Sequence, residues 1–278
     1  MAVLFERFKE YNVIGGMSMI GLKTKVDHKN VSEKNPNVMP EEQNEERFFL
    51  EGPKSRWKEF KFLLHIIWDF LVGFRILHFA GPCVTVFGSA RFQEDHPFYK
   101  KSFEVGKAVA GLGFTVMTGG GPGVMEAANK GAKSGGGKSV GCNIILPMEQ
   151  YANPWLDLSV NIKYFFVRKV LLCKYSYAFV CMPGGMGTLD EFFEAVTLVQ
   201  TNKIKRFPIV LFGTEYHKHL YKHIQYMADA GTISPKDLEL FLFTDDIEEM
   251  EDHLIKYAVD GFGLKKVKKM KRWMIFGE

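Results

Sequence analysis

From Val84 onward, short apolar runs alternate with stretches in which apolar positions recur every third or fourth residue. The short runs predict strands at Val84–Phe87, Phe114–Thr118, Ser139–Leu146, Asn161–Phe165, Tyr177–Met182 and Pro208–Phe212, with a weaker one at Leu240–Phe243. The helical period predicts Pro97–Leu112, Pro122–Lys133, Val167–Tyr175, Leu189–Thr201, Tyr216–Ala230 and Ile247–Val259 between them. Nearly continuous apolar strands that alternate with amphipathic helices make a parallel sheet covered on both faces. The expected fold is therefore α/β: a Rossmann-like, doubly wound parallel sheet, with a helical N-terminal extension before it.

That extension contains Arg56–Phe79, a helix rich in aromatic residues, whose centre FLLHIIWDFLVGFRILHFA approaches the length of a membrane span. Asp69 and Arg75 lie inside it, and a central Asp or Arg costs ~2.5–3.5 kcal/mol on insertion. A helix docked on the core or on a second subunit fits better. Residues 26–56 are polar and contain Pro36, Pro40 and Pro53, which reads as an extended segment. The expected organisation is an N-terminal extension over 1–80, a catalytic domain over 81–262 and a basic tail over 263–278. The tail's KKVKKMKR, Lys265–Arg272, reads as a solvated terminus.

Composition narrows the class. The 278 residues are 46% hydrophobic, and 36 basic against 32 acidic residues leave a net charge of +4. This balance gives no footing for nucleic acid as a partner. Cys83, Cys142, Cys173 and Cys181 show no CxxC spacing and read as free, mostly buried thiols. With a start unlike a signal peptide, they suggest a cytoplasmic protein. No HExxH or clustered His/Asp set implies a metal, and no cofactor is expected.

The candidate chemistry lies where strands give way to helices through glycine. Met182–Glu194, MPGGMGTLDEFFE, places Gly184, Gly185 and Gly187 between an apolar run and an amphipathic one. GGGPGVMEAANKGA, after Phe114–Thr118, places Gly119, Gly120, Gly121 and Gly123 in the same setting, with Pro122 suited to a first helical turn. Such turns bring backbone N–H groups and a helix N-terminus up to a phosphate. Gly88-Ser89-Ala90-Arg91 follows the first strand, and all three loops fall at the carboxyl ends of strands, where such sheets bind ligands. Ala132–Ser139, AKSGGGKS, loosely matches a P-loop but follows a helix and opens a strand, the reverse of a P-loop's setting. Glu191 has two readings. It completes a capping box with Thr188, or it is an ionised carboxylate beside a bound ribose.

GGGPGVMEAANKGA, then FFVRKVLL, then PGGMGTLDE together resemble the Lonely Guy family of nucleoside 5′-monophosphate phosphoribohydrolases, over about Val84 to Val259. The family pattern PGGxGTxxE is met by Pro183, Gly184, Gly185, Gly187, Thr188 and Glu191, and its arginine by Arg168. The long extension and GSAR after the first strand resemble the longer bacterial branch. The resemblance implies hydrolysis of the N-glycosidic bond of AMP or N6-prenylated AMP, with Arg168 and Glu191 catalytic. The glycines of both turns and Thr188 would then hold phosphate and ribose, and Ser89, Arg91, Glu126 and Asn129 are further candidate substrate contacts. The partner would be a small nucleotide, without nucleic acid or membrane, and the aromatic helix suggests a homodimer or higher homo-oligomer. The alternative is a non-catalytic nucleotide or cofactor carrier on the same fold. A pyridoxal-phosphate decarboxylase would need a Schiff-base lysine with a partner for the pyridine nitrogen, and no lysine stands in such a context.

Overall fold

A computed structural model describes residues 52–145 and 152–260. The expectations for residues 1–51, for Leu146 at the end of the third strand and for the tail Lys265–Arg272 fall outside the described residues. The chain runs α1 (Arg56–Leu77), β1 (Cys83–Phe87), α2 (Pro97–Gly111), β2 (Thr115–Thr118), α3 (Val124–Ser134), β3 (Ser139–Ile144), β4 (Leu158–Ile162), α4 (Phe165–Tyr175), β5 (Ser176–Cys181), α5 (Met186–Gln200), β6 (Ile209–Phe212), α6 (Thr214–Asp229), a 3-10 helix (Pro235–Leu240), β7 (Leu242–Thr244) and α7 (Ile247–Leu254), which continues as a π-helical stretch, Ile255–Asp260.

The seven strands form one sheet in the order β4-β3-β2-β1-β5-β6-β7. Every pairing is parallel. Successive side chains of a strand enter opposite layers, as the two-residue period requires. On β1, Cys83 and Phe87 join a core with Leu171, Phe192 and Ile224 of α4, α5 and α6. Val84 and Val86 join a second core with Val105, Val124 and Met250 of α2, α3 and α7. Both faces of the sheet are thus dry, which is why the strands carry so few polar residues. The strand order reverses between β1 and β5, the place where such sheets open a crevice at their carboxyl ends.

The aromatic helix α1 packs its Leu77, Phe62, Ile66 and Phe70 into the first of these cores. No described helix is long and apolar enough to cross a membrane. The outer face of α1 remains apolar, with Trp57, Phe60, Leu63, Ile67 and Leu71 exposed.

Four helix starts differ from the sequence reading: α4 begins at Phe165 rather than Val167, α6 at Thr214 rather than Tyr216, and the shifted starts of α3 and α5 bear most on the site. The strand expected at Asn161–Phe165 lies instead at Leu158–Ile162, because Phe165 already belongs to α4. Helix α3 begins at Val124, not Pro122, because Gly123 caps it at φ 69°. A Cβ there would lie 2.4 Å from the Ser89 carbonyl oxygen, so both the left-handed backbone and the close approach call for glycine. Helix α5 begins at Met186, three residues ahead of the expected Leu189, with Gly185 as its extended N-cap. Thr188 is therefore in the first turn and Glu191 in the second. The capping box between them is not formed, since helix α5 has no side-chain cap.

Candidate active site

Three loops meet above the carboxyl ends of β1, β2 and β5. Ser89 is their hub. Its N–H donates to the Pro183 carbonyl at 3.0 Å, and its own carbonyl accepts from the Val124 N–H at 2.9 Å. The Ser89 hydroxyl accepts from the Arg91 N–H at 3.1 Å and closes the turn locally. Gly184 is packed so tightly that a Cβ would fall 2.2 Å from the Thr188 hydroxyl. Ser89, a candidate substrate contact, thus lies where the loops meet, and its hydroxyl is engaged by the loop itself. The Arg91 side chain is exposed at the rim.

The first glycine turn is braced from below. Thr118 donates its hydroxyl proton to Asn129 Oδ1 at 2.7 Å and accepts from the Gly120 N–H at 2.9 Å. Asn153 donates to the Gly120 and Gly121 carbonyls at 3.2 and 3.1 Å and to Asn129 Oδ1 at 3.0 Å. Asn129, expected to reach substrate, is fully buried in this network and supports the turn. Glu126 sits half-buried in the first turn of α3, and its charge acts on the Tyr99 hydroxyl. The N–H of Gly120, one of the expected phosphate donors, is already taken by Thr118.

The second turn is the open one. Gly185 and Gly187 are exposed, and a Cβ on either would meet nothing within 4 Å. Packing does not require glycine at these two positions. Among the described residues, no acceptor meets the N–H groups of Met186 and Gly187 at the start of α5. These are the orphan donors and the positive dipole end that suit an anion. Tyr216, on α6, steadies this turn by donating its hydroxyl proton to the Gly184 carbonyl at 2.9 Å. Beneath it, His217 bonds the Met182 carbonyl, and burial pushes its pKa down to about 4, which keeps it neutral. No sequence signal marks Thr118, Asn153 or Tyr216: each reads as an ordinary strand, loop or helix residue until the loops are brought together.

Arg168 and Glu191 approach this crevice from α4 and α5. The Arg168 Nε donates to the Cys142 carbonyl on β3 at 2.9 Å. Its guanidinium lies directly over the first turn, where a Cβ on Gly119 would be 2.3 Å from Nη2. Gly119 is thus the floor on which the cation rests. Glu191 is only 6% exposed. Burial pushes its carboxyl up from 4.5 to about 7, against the pull of the nearby Arg168 and Lys169 charges. Among the described residues no hydrogen bond or ion pair engages it. The neighbouring Asp190 and Glu194 are both tied to Lys169, at 3.1 and 2.8 Å. Of the acidic residues at the start of α5, Glu191 alone is uncommitted. Among the described residues no three His, Cys, Asp or Glu side chains are placed to hold a metal ion.

A family model described as a possible lysine decarboxylase matches residues 125–254, which include α4 and the second turn. A cytokinin riboside 5′-monophosphate phosphoribohydrolase of Mycobacterium tuberculosis is 32% identical over 149 residues, which span 52% of this chain and 79% of that one. The chain belongs to the Lonely Guy family. A second relative of the same name, from Rhodococcoides fascians, is 28% identical over 172 residues, or 59% of this chain and 85% of that one. Among solved structures, a molybdenum cofactor binding protein from Rippkaea orientalis superposes with a TM-score of 0.47 at 23% identity, covering 63% of this chain and 96% of that chain. The molybdenum cofactor carrier protein of Chlamydomonas reinhardtii gives the same score at 25% identity, covering 63% of this chain and 97% of that chain. In this Lonely Guy chain, the family's PGGxGTxxE segment is the exposed second turn together with the first two turns of α5.

Proposed function

We propose that this chain hydrolyses the N-glycosidic bond of purine nucleoside 5′-monophosphates, AMP or an N6-prenylated relative, to free base and ribose 5-phosphate. The observation that carries the proposal is the pairing of a fixed cation, Arg168 over Gly119, with a buried and uncommitted carboxylate, Glu191, beside uncapped helix donors. The phosphate binds at the Met186 and Gly187 N–H groups, with the Thr188 hydroxyl beside them. Arg168 holds ribose or phosphate oxygens and lowers the cost of ionising Glu191. The Glu191 carboxylate stabilises positive charge at the anomeric carbon and takes a proton from the attacking water. The water oxygen bonds C1′ as the C1′–N bond breaks, and the departing base gains a proton. The relatives named for cytokinin riboside monophosphate support this substrate class.

The fully buried Cys83, Cys142 and Cys181 are all free, which supports a reducing, cytoplasmic setting. The exposed apolar face of α1 supports a homo-oligomer, and the near-balanced charge argues against nucleic acid as a partner. The test is incubation of the pure protein with a panel of nucleotides and nucleosides, followed by assay of free base. AMP should release adenine, and adenosine should react more than about tenfold slower, because it forgoes hydrogen bonds to a charged phosphate worth ~1.5–3 kcal/mol each. Tight binding of AMP with no base released would favour the carrier alternative.

A further inference from the structure

The cation of the proposed pair depends on how its helix begins, and that beginning is unusual. The N-cap of helix α4 is Tyr164, which provides no side-chain cap, and no acidic residue lies in the helix's first turn. The cap comes from elsewhere. Asp69, in the middle of α1, accepts the Lys163 and Tyr164 N–H groups on a single oxygen, Oδ2, at 2.8 and 3.1 Å. Four residues later, the Arg168 N–H donates to the Tyr164 carbonyl at 3.1 Å. Asp69 therefore anchors Tyr164, the residue whose carbonyl accepts the Arg168 N–H.

The rest of the α1–α4 contact is equally rigid. A Cβ on Gly73 would be 2.3 Å from a Leu171 methyl carbon, so the two helices touch backbone to side chain one turn past Asp69. Phe62 packs edge-on against the Tyr164 ring at 5.4 Å, and Tyr175 donates its hydroxyl proton to the Phe74 carbonyl at 3.3 Å. These contacts hold the two ends of α4, and Asp69 holds the end nearest Arg168. Asp69 is also the charge that breaks the apolar run of α1, and burial pushes its carboxyl above the usual range while the two N–H donors pull it back. A half-buried, charge-bearing side chain with two backbone donors is a costly feature for a helix that only covers a sheet.

We infer that Asp69 is a positioning residue for Arg168: the helix ahead of the sheet sets the helix that carries the cation. The inference rests on the proposed role of Arg168 and Glu191. Its test is a cycle in the full chain with AMP as substrate, comparing Asp69→Ala, Asp69→Asn, Arg168→Ala and the Asp69→Ala/Arg168→Ala pair, each checked for folding by its melting curve. Asp69→Ala should lower kcat by about 10–100-fold with KM within about threefold, since misplacement of a catalytic group by an ångström is worth up to about 10² in rate. Asp69→Asn keeps an oxygen acceptor for both N–H groups and should recover most of the loss. In the Arg168→Ala background, Asp69→Ala should lower kcat no more than about twofold further.

Parental kcat in Asp69→Ala overturns the inference. So does an equal loss in the Arg168→Ala background, because a residue that merely holds the fold together acts whether or not Arg168 is present. Should Asp69→Ala not fold, Asp69→Glu keeps the charge but displaces the oxygen, and the same two criteria decide. Parental turnover in Arg168→Ala would overturn the hydrolase reading and this inference with it. Inactive Arg168→Ala beside fully active Asp69→Ala would overturn the Asp69 inference alone.

Discussion

Glu191→Gln separates catalysis from stability in opposite directions. The folded pKa is about 7 against an ordinary glutamate value of 4.5. The protonated form is thus favoured in the folded state. The stability this group contributes is fully present below pH 4.5 and is lost as pH rises through about 7. At 1.36 kcal/mol per pH unit the whole loss is about 3 kcal/mol, of which about 2 kcal/mol falls between pH 5 and pH 8. Glutamine has the same shape and never ionises, so it is spared that loss. The variant's melting temperature should therefore rise relative to the parent by about 4–8 °C more at pH 8 than at pH 5, at about 2–4 °C per kcal/mol for a chain of this size class. Turnover of AMP should fall by about 10²–10⁴, the range for a positioned base. In the parent, kcat/KM should climb through about pH 7 as the carboxylate forms, because that ratio reports the free protein's ionisation. Differential scanning calorimetry at the two pH values, beside a free-adenine assay, measures both effects. A melting offset that is the same at pH 5 and pH 8 would refute the desolvated carboxylate, and parental turnover would remove Glu191 from the mechanism.

Two further outcomes follow from the geometry. Gly119→Ala would place a methyl 2.3 Å from Arg168 Nη2 and 2.8 Å from Met125 Sδ, both of them ends of flexible side chains. The fold should therefore survive with a small melting shift while kcat falls by about 10²-fold, and a fully active variant would show that the guanidinium has no fixed seat. The exposed Trp57, Phe60, Leu63, Ile67 and Leu71 of α1, beside Phe165 and Val170 of α4, are more apolar surface than a monomer usually shows. Light scattering should give at least twice the 31.7 kDa chain mass, and a single-chain mass at micromolar concentration would contradict it.

The sheet was legible because both of its faces are dry: buried strands read as apolar runs, and the helices between them keep their period. The loops were legible as turns because glycine clusters where the backbone is left-handed or closely approached, as it is at Gly123. Helix starts were less so. The PGGMGT segment reads as a turn because glycine is a poor helix former, yet the structure begins α5 inside it, at Met186. That shift of three residues converts Glu191 from the closing member of a capping box into a second-turn side chain with no partner among the described residues. The capping box and the catalytic reading had the same sequence signature, and the helix start removes the first of them. Position on the turn and the PGGxGTxxE spacing already favour Glu191 over Asp190 in the sequence, and what spacing does not show is that Lys169 reaches across from α4 to bind Asp190. Asp69 was visible as a charge that spoils a membrane span, but its partners lie more than ninety residues away, and no local pattern records such a distance.

The two glycine turns look equivalent in sequence and are not equivalent in the fold. The first has its Gly120 N–H tied to Thr118 and its carbonyls tied to Asn153, and it carries Arg168 on its surface. It behaves as a platform. The second leaves the first N–H groups of α5 open and is held from behind through the Gly184 carbonyl. In the proposed function it is the receiver. A phosphate drawn to the second turn would bring the attached ribose alongside both the platform's cation and the buried carboxylate of α5. Binding energy gained at the phosphate can then offset the cost of ionising Glu191 in a dry setting, and it does so only for substrates that carry the phosphate. On this arrangement the discrimination between nucleotide and nucleoside should appear in turnover as well as in KM, because removing the phosphate removes the force that sets the ribose against Glu191. A nucleoside that reacted at the same kcat, with only its KM raised, would show that phosphate binding and glycosidic cleavage are separate events in this crevice.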